Sequence, residues 1–111
     1  MARKPMETLT ESMFYVLLAL SVRDMCGTEL TSYVRKLTGG RVSMGPGTLY
    51  AIISRFSSEY IIHEVGRAGR KITYSITDRG RKIYEDELNR LKMCIGDAGG
   101  RGNENMEDDG V

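Results

Sequence analysis

Thr48, Tyr50, Ser54 and Arg55 place three hydroxyls and a guanidinium in one short stretch, Gly45-Pro46-Gly47-Thr48-Leu49-Tyr50-Ala51-Ile52-Ile53-Ser54-Arg55-Phe56. Small hydroxyls and an arginine with no acid among them suit hydrogen bonding to phosphates and base edges. A second set lies downstream in Gly66-Arg67-Ala68-Gly69-Arg70-Lys71, three bases and two glycines without an acid. Its glycines let the backbone lie close to another surface. Groups for covalent chemistry are scarce. His63 is the only histidine and sits in a β-prone run, where a structural or solvent-facing role outweighs catalysis. Cys26 and Cys94 are too few and too far apart for a disulfide framework or a zinc site. Gly39-Gly40 and Gly45-Pro46-Gly47 lack the strand and lysine of a phosphate-cradling loop. No catalytic residue, cofactor or metal is expected, and the chain reads as a non-enzyme.

The elements that carry these residues follow from spacing. Leu49, Ile52, Ile53 and Phe56 fall at i, i+3, i+4 and i+7, one apolar stripe of a helix. Pro46 suits its first position and Gly45 its N-cap. Thr48, Ala51, Ser54 and Arg55 occupy the opposite face, with Tyr50 on the flank. Upstream, Thr8-Leu9-Thr10-Glu11 has capping-box spacing. Leu9, Met13, Val16, Leu17 and Leu20 then recur at helical intervals, and Phe14, Leu18 and Val22 widen the stripe. A second helix spans residues 28–37, inward at Leu30, Val34 and Leu37, and Gly39-Gly40 stops it. Ser43 lies in the connection to the third helix, where it and the helix-start N–H groups suit phosphate.

After Phe56, Ile61-Ile62-His63-Glu64-Val65 is β-prone, and Ile72, Tyr74 and Ile76 alternate with hydroxyls. These runs predict a two-stranded hairpin with a basic tip, packed on the helices because such a hairpin is marginal alone. Three helices and a basic hairpin are the order of a winged helix-turn-helix. Thr77 or Asp78 caps a last helix running to about Cys94 or Ile95. Ile83, Tyr84, Leu88, Leu91 and Ile95 form its seam. With the excess apolar surface of the first helix, including Leu9 and Met13, this seam predicts a homodimer. The fold class is thus mainly α with a small β-hairpin, a winged helix-turn-helix plus a C-terminal dimerisation helix. Its expected divisions are a flexible basic arm (1–7), the winged domain (8–77), the dimerisation helix (78–95) and a disordered acidic tail (96–111).

Length and charge agree with this class. The 111 residues allow one small domain. No apolar run approaches the ~20 residues of a membrane span, and the N-terminus does not resemble a secretion signal, so a cytoplasmic protein with reduced thiols is expected. Residues 97–111 carry one base and five acids, which leaves 15 bases against 10 acids, net +5, in residues 1–96. A basic body permits nucleic-acid binding without requiring it. The tail is expected to solubilise. Cys94, near the end of the last helix, could meet a two-fold mate as a redox switch, though an idle thiol is the favoured reading.

Four stretches together resemble the PadR family of transcriptional regulators: Leu17-Leu18-Ala19-Leu20, Cys26-Gly27-Thr28-Glu29-Leu30, Pro46-Gly47-Thr48-Leu49-Tyr50, and Gly69-Arg70-Lys71-Ile72-Thr73-Tyr74-Ser75-Ile76-Thr77-Asp78-Arg79-Gly80. The resemblance covers about residues 9–92. It implies a winged helix, a two-fold dimer built by the C-terminal helix, and usually a repressor. Some members respond to phenolic acids or bulky apolar drugs, so a small effector is an implied partner beside double-stranded DNA. Gly47, Thr48 and Tyr50 would open the recognition helix, and Arg67, Arg70 and Lys71 would form the wing. Three positions depart from the pattern. Gly45 stands where Ser or Asn is frequent, Thr28 replaces a Tyr, and Tyr60 replaces a Gly at the exit of the recognition helix. If that site keeps a positive φ, Tyr60 is strained by about 1 kcal/mol or more; otherwise the helix runs on. No Trp is present, which excludes a ligand site of stacked indoles.

Two other readings compete. A winged helix for protein interaction would show an apolar outer face on the third helix, whereas Thr48, Ala51, Ser54 and Arg55 are small or polar. An architectural DNA-binding protein would share this face but bind with little sequence preference.

Overall fold

The computed structural model describes residues 9–104, with side chains described through Gly100. The order is α1 (Glu11–Val22), β1 (Met25–Cys26), α2 (Gly27–Leu37), α3 (Pro46–Ser58), β2 (Ile62–Ala68), β3 (Lys71–Ile76) and α4 (Asp78–Glu104). This is the winged helix expected from the sequence, with one strand more. The basic arm and Thr8 lie outside the described residues. The hydroxyl that caps α1 is that of Thr10, which accepts from the Met13 N–H at 3.2 Å.

One core joins the elements. Val16, Leu17, Ala19 and Leu20 of α1, Leu30 and Val34 of α2, and Leu49, Ile52, Ile53 and Phe56 of α3 are buried together. Val42 and Met44 are buried with them, so the α2–α3 connection is packed rather than loose. The Thr38 hydroxyl accepts from the Val42 N–H at 3.0 Å. Arg41 pairs with Glu11, donates to the Tyr15 hydroxyl at 2.8 Å and lies over that ring, fastening the connection to α1.

The sheet has the order β1-β3-β2, all antiparallel. The two-stranded expectation missed β1, whose two residues pair with Tyr74 and Thr73 of β3. A two-residue strand is too short to show a period, and buried Met25 supplies its anchor. The wing turns at Gly69-Arg70, with Ala68 opposite Lys71. Gly69 has φ +63° and Arg70 does not, which fits a turn needing glycine first. The register shifts between Glu64 and Gly66, a bulge at Val65 that adds twist to the wing.

The exit from α3 settles the backbone at Tyr60, whose φ is 58°. The helix does not run on. The Tyr60 N–H bonds to the Ser57 carbonyl and the Ile61 N–H to the Phe56 carbonyl, with Ile61 packed in the same buried cluster as Phe56. This is a Schellman end with tyrosine in the glycine position. The end of α2 has the same bonds with Gly39 there, φ 62°.

Thr77 then ties the wing to α4. Its hydroxyl accepts from the Gly80 N–H at 3.0 Å and lies within 2.9 Å of the Tyr60 and Ile61 carbonyls, to which it donates. A Cβ on Gly80 would stand 2.2 Å from the Ile61 carbonyl oxygen, so only glycine permits this approach. The last helix does not stop near residue 95. It continues through Gly96, Gly99 and Gly100 to Glu104, against the disordered tail expected from residue 96. Extending an existing helix adds one hydrogen bond per residue without a new nucleus, which offsets part of the ~1 kcal/mol that each glycine costs, and no proline interrupts it. The rest of the expected tail lies outside the described residues. No described helix is long and apolar enough to cross a membrane.

Candidate nucleic-acid interface

Burying Leu49, Ile52, Ile53 and Phe56 turns the other side of α3 outward. Gly47, Thr48, Tyr50, Ala51, Ser54, Arg55 and Ser58 are all exposed, and so is Ser43 in the preceding connection. The face carries no exposed acid. Tyr50 lies differently from the others. A Cβ on Gly27 would meet its hydroxyl at 2.5 Å, so the phenol leans across the first residue of α2.

Not every expected contact residue is available. Arg55 bonds through Nε to Glu59 at 3.1 Å, and the Glu59 side chain is 4% exposed while Arg55 is half exposed. Part of the Arg55 charge therefore serves a buried carboxylate of its own chain. Arg67 grips Glu64 through two bonds of 3.1 and 3.2 Å, both partners well exposed. Such a surface pair is weak and can open for a better anion. Arg70 and Lys71 are exposed and form no ion pair with a described residue.

Three clefts border the outward face, and Tyr50 lines each of them. One, of about 460 Å³, opens between the start of α2 and the wing, lined by Thr28, Arg70, Lys71 and Tyr74 among others. A second, of about 280 Å³, runs between α2 and α3 past Thr31, Ser32, Arg35 and Met44. The third lies between α3 and β2, by Ser54, Tyr60 and His63. Ser32 and Arg35 escaped the sequence reading, and Thr28 entered it only as a departure from the family pattern. Their i, i+4, i+7 spacing along α2 was the available signal. Tyr74 also escaped it, because its alternation with hydroxyls reads as plain core.

The seam residues divide. Leu9, Met13, Ile83 and Tyr84 pack against the chain's own core, and Tyr84 meets Phe14 at 5.4 Å between ring centroids. Leu88 and Leu91 are half-buried and Ile95 is 72% exposed. Glu87, 6% exposed, accepts from Arg90 Nε at 3.0 Å and Nη2 at 2.7 Å. Arg90 first, and the Leu9 N–H after it, hold the carboxyl below its ordinary range against the opposing effect of burial. Cys94 is exposed, 3.8 Å from Arg90 Nη1, whereas Cys26 is the buried thiol.

A packed three-helix core, a turn-held third helix with a polar outer face and a basic antiparallel wing define a winged helix-turn-helix. Residues 16–86 match the family model of the PadR-like transcriptional regulators, and the chain belongs to that family. It is accordingly a transcriptional regulator by family. The fold is similar to a transcriptional regulator of Clostridium thermocellum, 22% identical, with a TM-score of 0.72 over 80% of this chain and 87% of that one. It is similar also to a PadR family regulator of Clostridium difficile, 18% identical, with a TM-score of 0.71 over 82% and 97%. PadR of Bacillus subtilis, solved in complex with operator DNA, is 24% identical, with a TM-score of 0.61 over 68% of this chain and 45% of that one. No curated protein matches the sequence.

Proposed function

We propose that the chain is a repressor that works as a homodimer on a pseudo-palindromic operator. The observation that carries this reading is the outward face of α3, polar and free of exposed acid, flanked by the uncommitted Arg70 and Lys71. Two such helices, related by a two-fold axis, enter successive major grooves ~34 Å apart. Gly47, Thr48 and Ser54 face the groove, and Tyr50, leaning over the start of α2, reaches the backbone beside it. Ser43 and the first N–H groups of α3 hold phosphate. Arg55 contributes what Glu59 leaves it. Arg67, Arg70 and Lys71 follow the flanking backbone or minor groove.

Leu88, Leu91 and Ile95 supply the partner's share of the seam, beside the intrachain contacts of Leu9, Met13, Ile83 and Tyr84. A small apolar or phenolic effector at this seam changes the spacing of the reading heads and moves them out of register. Such a protein acts in the cytoplasm, where its promoter DNA lies.

The test is binding to DNA from upstream of the protein's own gene across a salt series, against scrambled DNA. Tight, selective binding with a steep salt slope is expected. Equal, weak binding to both indicates an architectural protein, and no binding at low salt contradicts the reading.

A further inference from the structure

We infer that the cleft between the start of α2 and the wing is a seat for a single phosphate group, with the hydroxyl of Tyr74 as its inner donor. The inference rests on the DNA-binding reading above and adds a site and residues to it. Tyr74 is 8% exposed and lines the cleft, yet its hydroxyl hydrogen-bonds to no described residue. Because the residue is buried and lines the cleft, its unpaired hydroxyl is left to whatever enters that cleft, water or a ligand with an acceptor oxygen. Burial, and after it Tyr50 and Glu64, raise the phenol's pKa against the influence of Arg67, and a tyrosine hydroxyl carries its proton at neutral pH without that shift.

The other walls are donors too. The Tyr50 hydroxyl leans over Gly27 and likewise bonds to no described residue. Gly27 and Thr28 open an eleven-residue helix, whose first N–H groups and dipole favour an anion. Arg70 and Lys71 stand on the wing side. No carboxylate lines the cleft. Two carboxylates act on its lining from outside: Glu29 on Lys71, occupied with the Cys26 N–H at 2.9 Å, and Glu64 on Tyr74, held by Arg67. Donors from three elements and two cations around one opening match an oxyanion with several free oxygens. A backbone phosphodiester of bound DNA is the source this location favours.

A phosphate contact carries no base information, so its loss lowers affinity for every sequence alike. In fluorescence titrations of the full chain, Tyr74→Phe is expected to weaken binding to the upstream duplex and to scrambled DNA by the same factor, about tenfold. Its melting temperature is expected to hold or rise, because the lost hydroxyl has no protein partner. One methylphosphonate placed along the duplex is expected to cost the wild type this same factor and the variant nothing more. Tyr50→Phe is expected to act in the same direction with a smaller factor.

If Tyr74→Phe binds DNA like the wild type, the seat is refuted while the regulator reading stands. If it loses melting temperature and affinity together, the hydroxyl is structural and the seat is again refuted. If the wild type binds neither duplex, the regulator reading fails, and inorganic phosphate decides the seat. Stabilisation of the wild type but not of Tyr74→Phe, at equal ionic strength, assigns the cleft to free phosphate. Equal stabilisation of both, or none, overturns it.

Discussion

At the α1–α4 seam, Glu87 is buried, held by two bonds from Arg90 and lowered in pKa. Across the molecule, between α2 and the wing, Tyr74 is nearly as buried and its hydroxyl has no described partner, while Arg70 and Lys71 form no described ion pair. Both regions set polar groups against apolar neighbours. Only the first completes its polar groups within the chain. A seam that fixes two helices gains stability from paired groups. A surface that receives a ligand leaves its donors for that ligand and accepts the loss of stability.

The largest effect that breaks this contrast lies at the hinge between the regions. Gly80→Ala places a Cβ 2.2 Å from the Ile61 carbonyl oxygen, and backbone cannot give way there as a side-chain tip can. A loss of about 3 kcal/mol is expected in denaturant titration. An unchanged midpoint would remove the tie between wing and α4 from the account.

Arg90→Ala probes the paired side. A carboxyl with a lowered pKa contributes stability that is full above its ordinary pKa and disappears as pH falls through the lowered one. The variant is therefore expected to melt lower at neutral pH and to lose less on acidification to about pH 3. Parallel melting curves for variant and wild type over that range would show that Arg90 does not act through Glu87.

Tyr60→Gly tests strain at the α3 exit. The variant removes a non-glycine residue from φ 58° and is expected to gain about 1 kcal/mol. A destabilised variant would mean that the exposed ring makes a contact worth more than its strain. Glu64→Gln is a smaller change. It frees Arg67 and is expected to tighten DNA binding about twofold, and weaker binding would mean that the pair itself positions the wing.

Long periods were legible in the sequence and short or pairwise features were not. The stripe from Leu49 to Phe56, the proline at the start of α3 and the alternation from Ile72 to Ile76 each give a pattern that one chain segment carries alone. β1 is two residues long and exists only because β3 lies beside it. Val42 and Met44 interrupt no pattern, yet the core draws them in. The outward face of α3 was readable as the complement of its stripe. That Arg55 and Arg67 are each tied to a nearby carboxylate was not, because charge counting gives the side chains present and not the direction each one takes. A stretch of Gly, Asn, Glu and Asp with little apolar surface to bury predicted disorder from residue 96, whereas α4 continues to Glu104.

The most direct test of the account compares the salt dependence of DNA binding by the wild type and by an Arg70→Ala, Lys71→Ala double variant. Each cation released from a phosphate lowers the slope of log affinity against log salt by about one. A slope shallower by about two, on selected and scrambled DNA alike, is the result the account predicts. An unchanged slope would contradict it, because the wing would then lie away from the DNA.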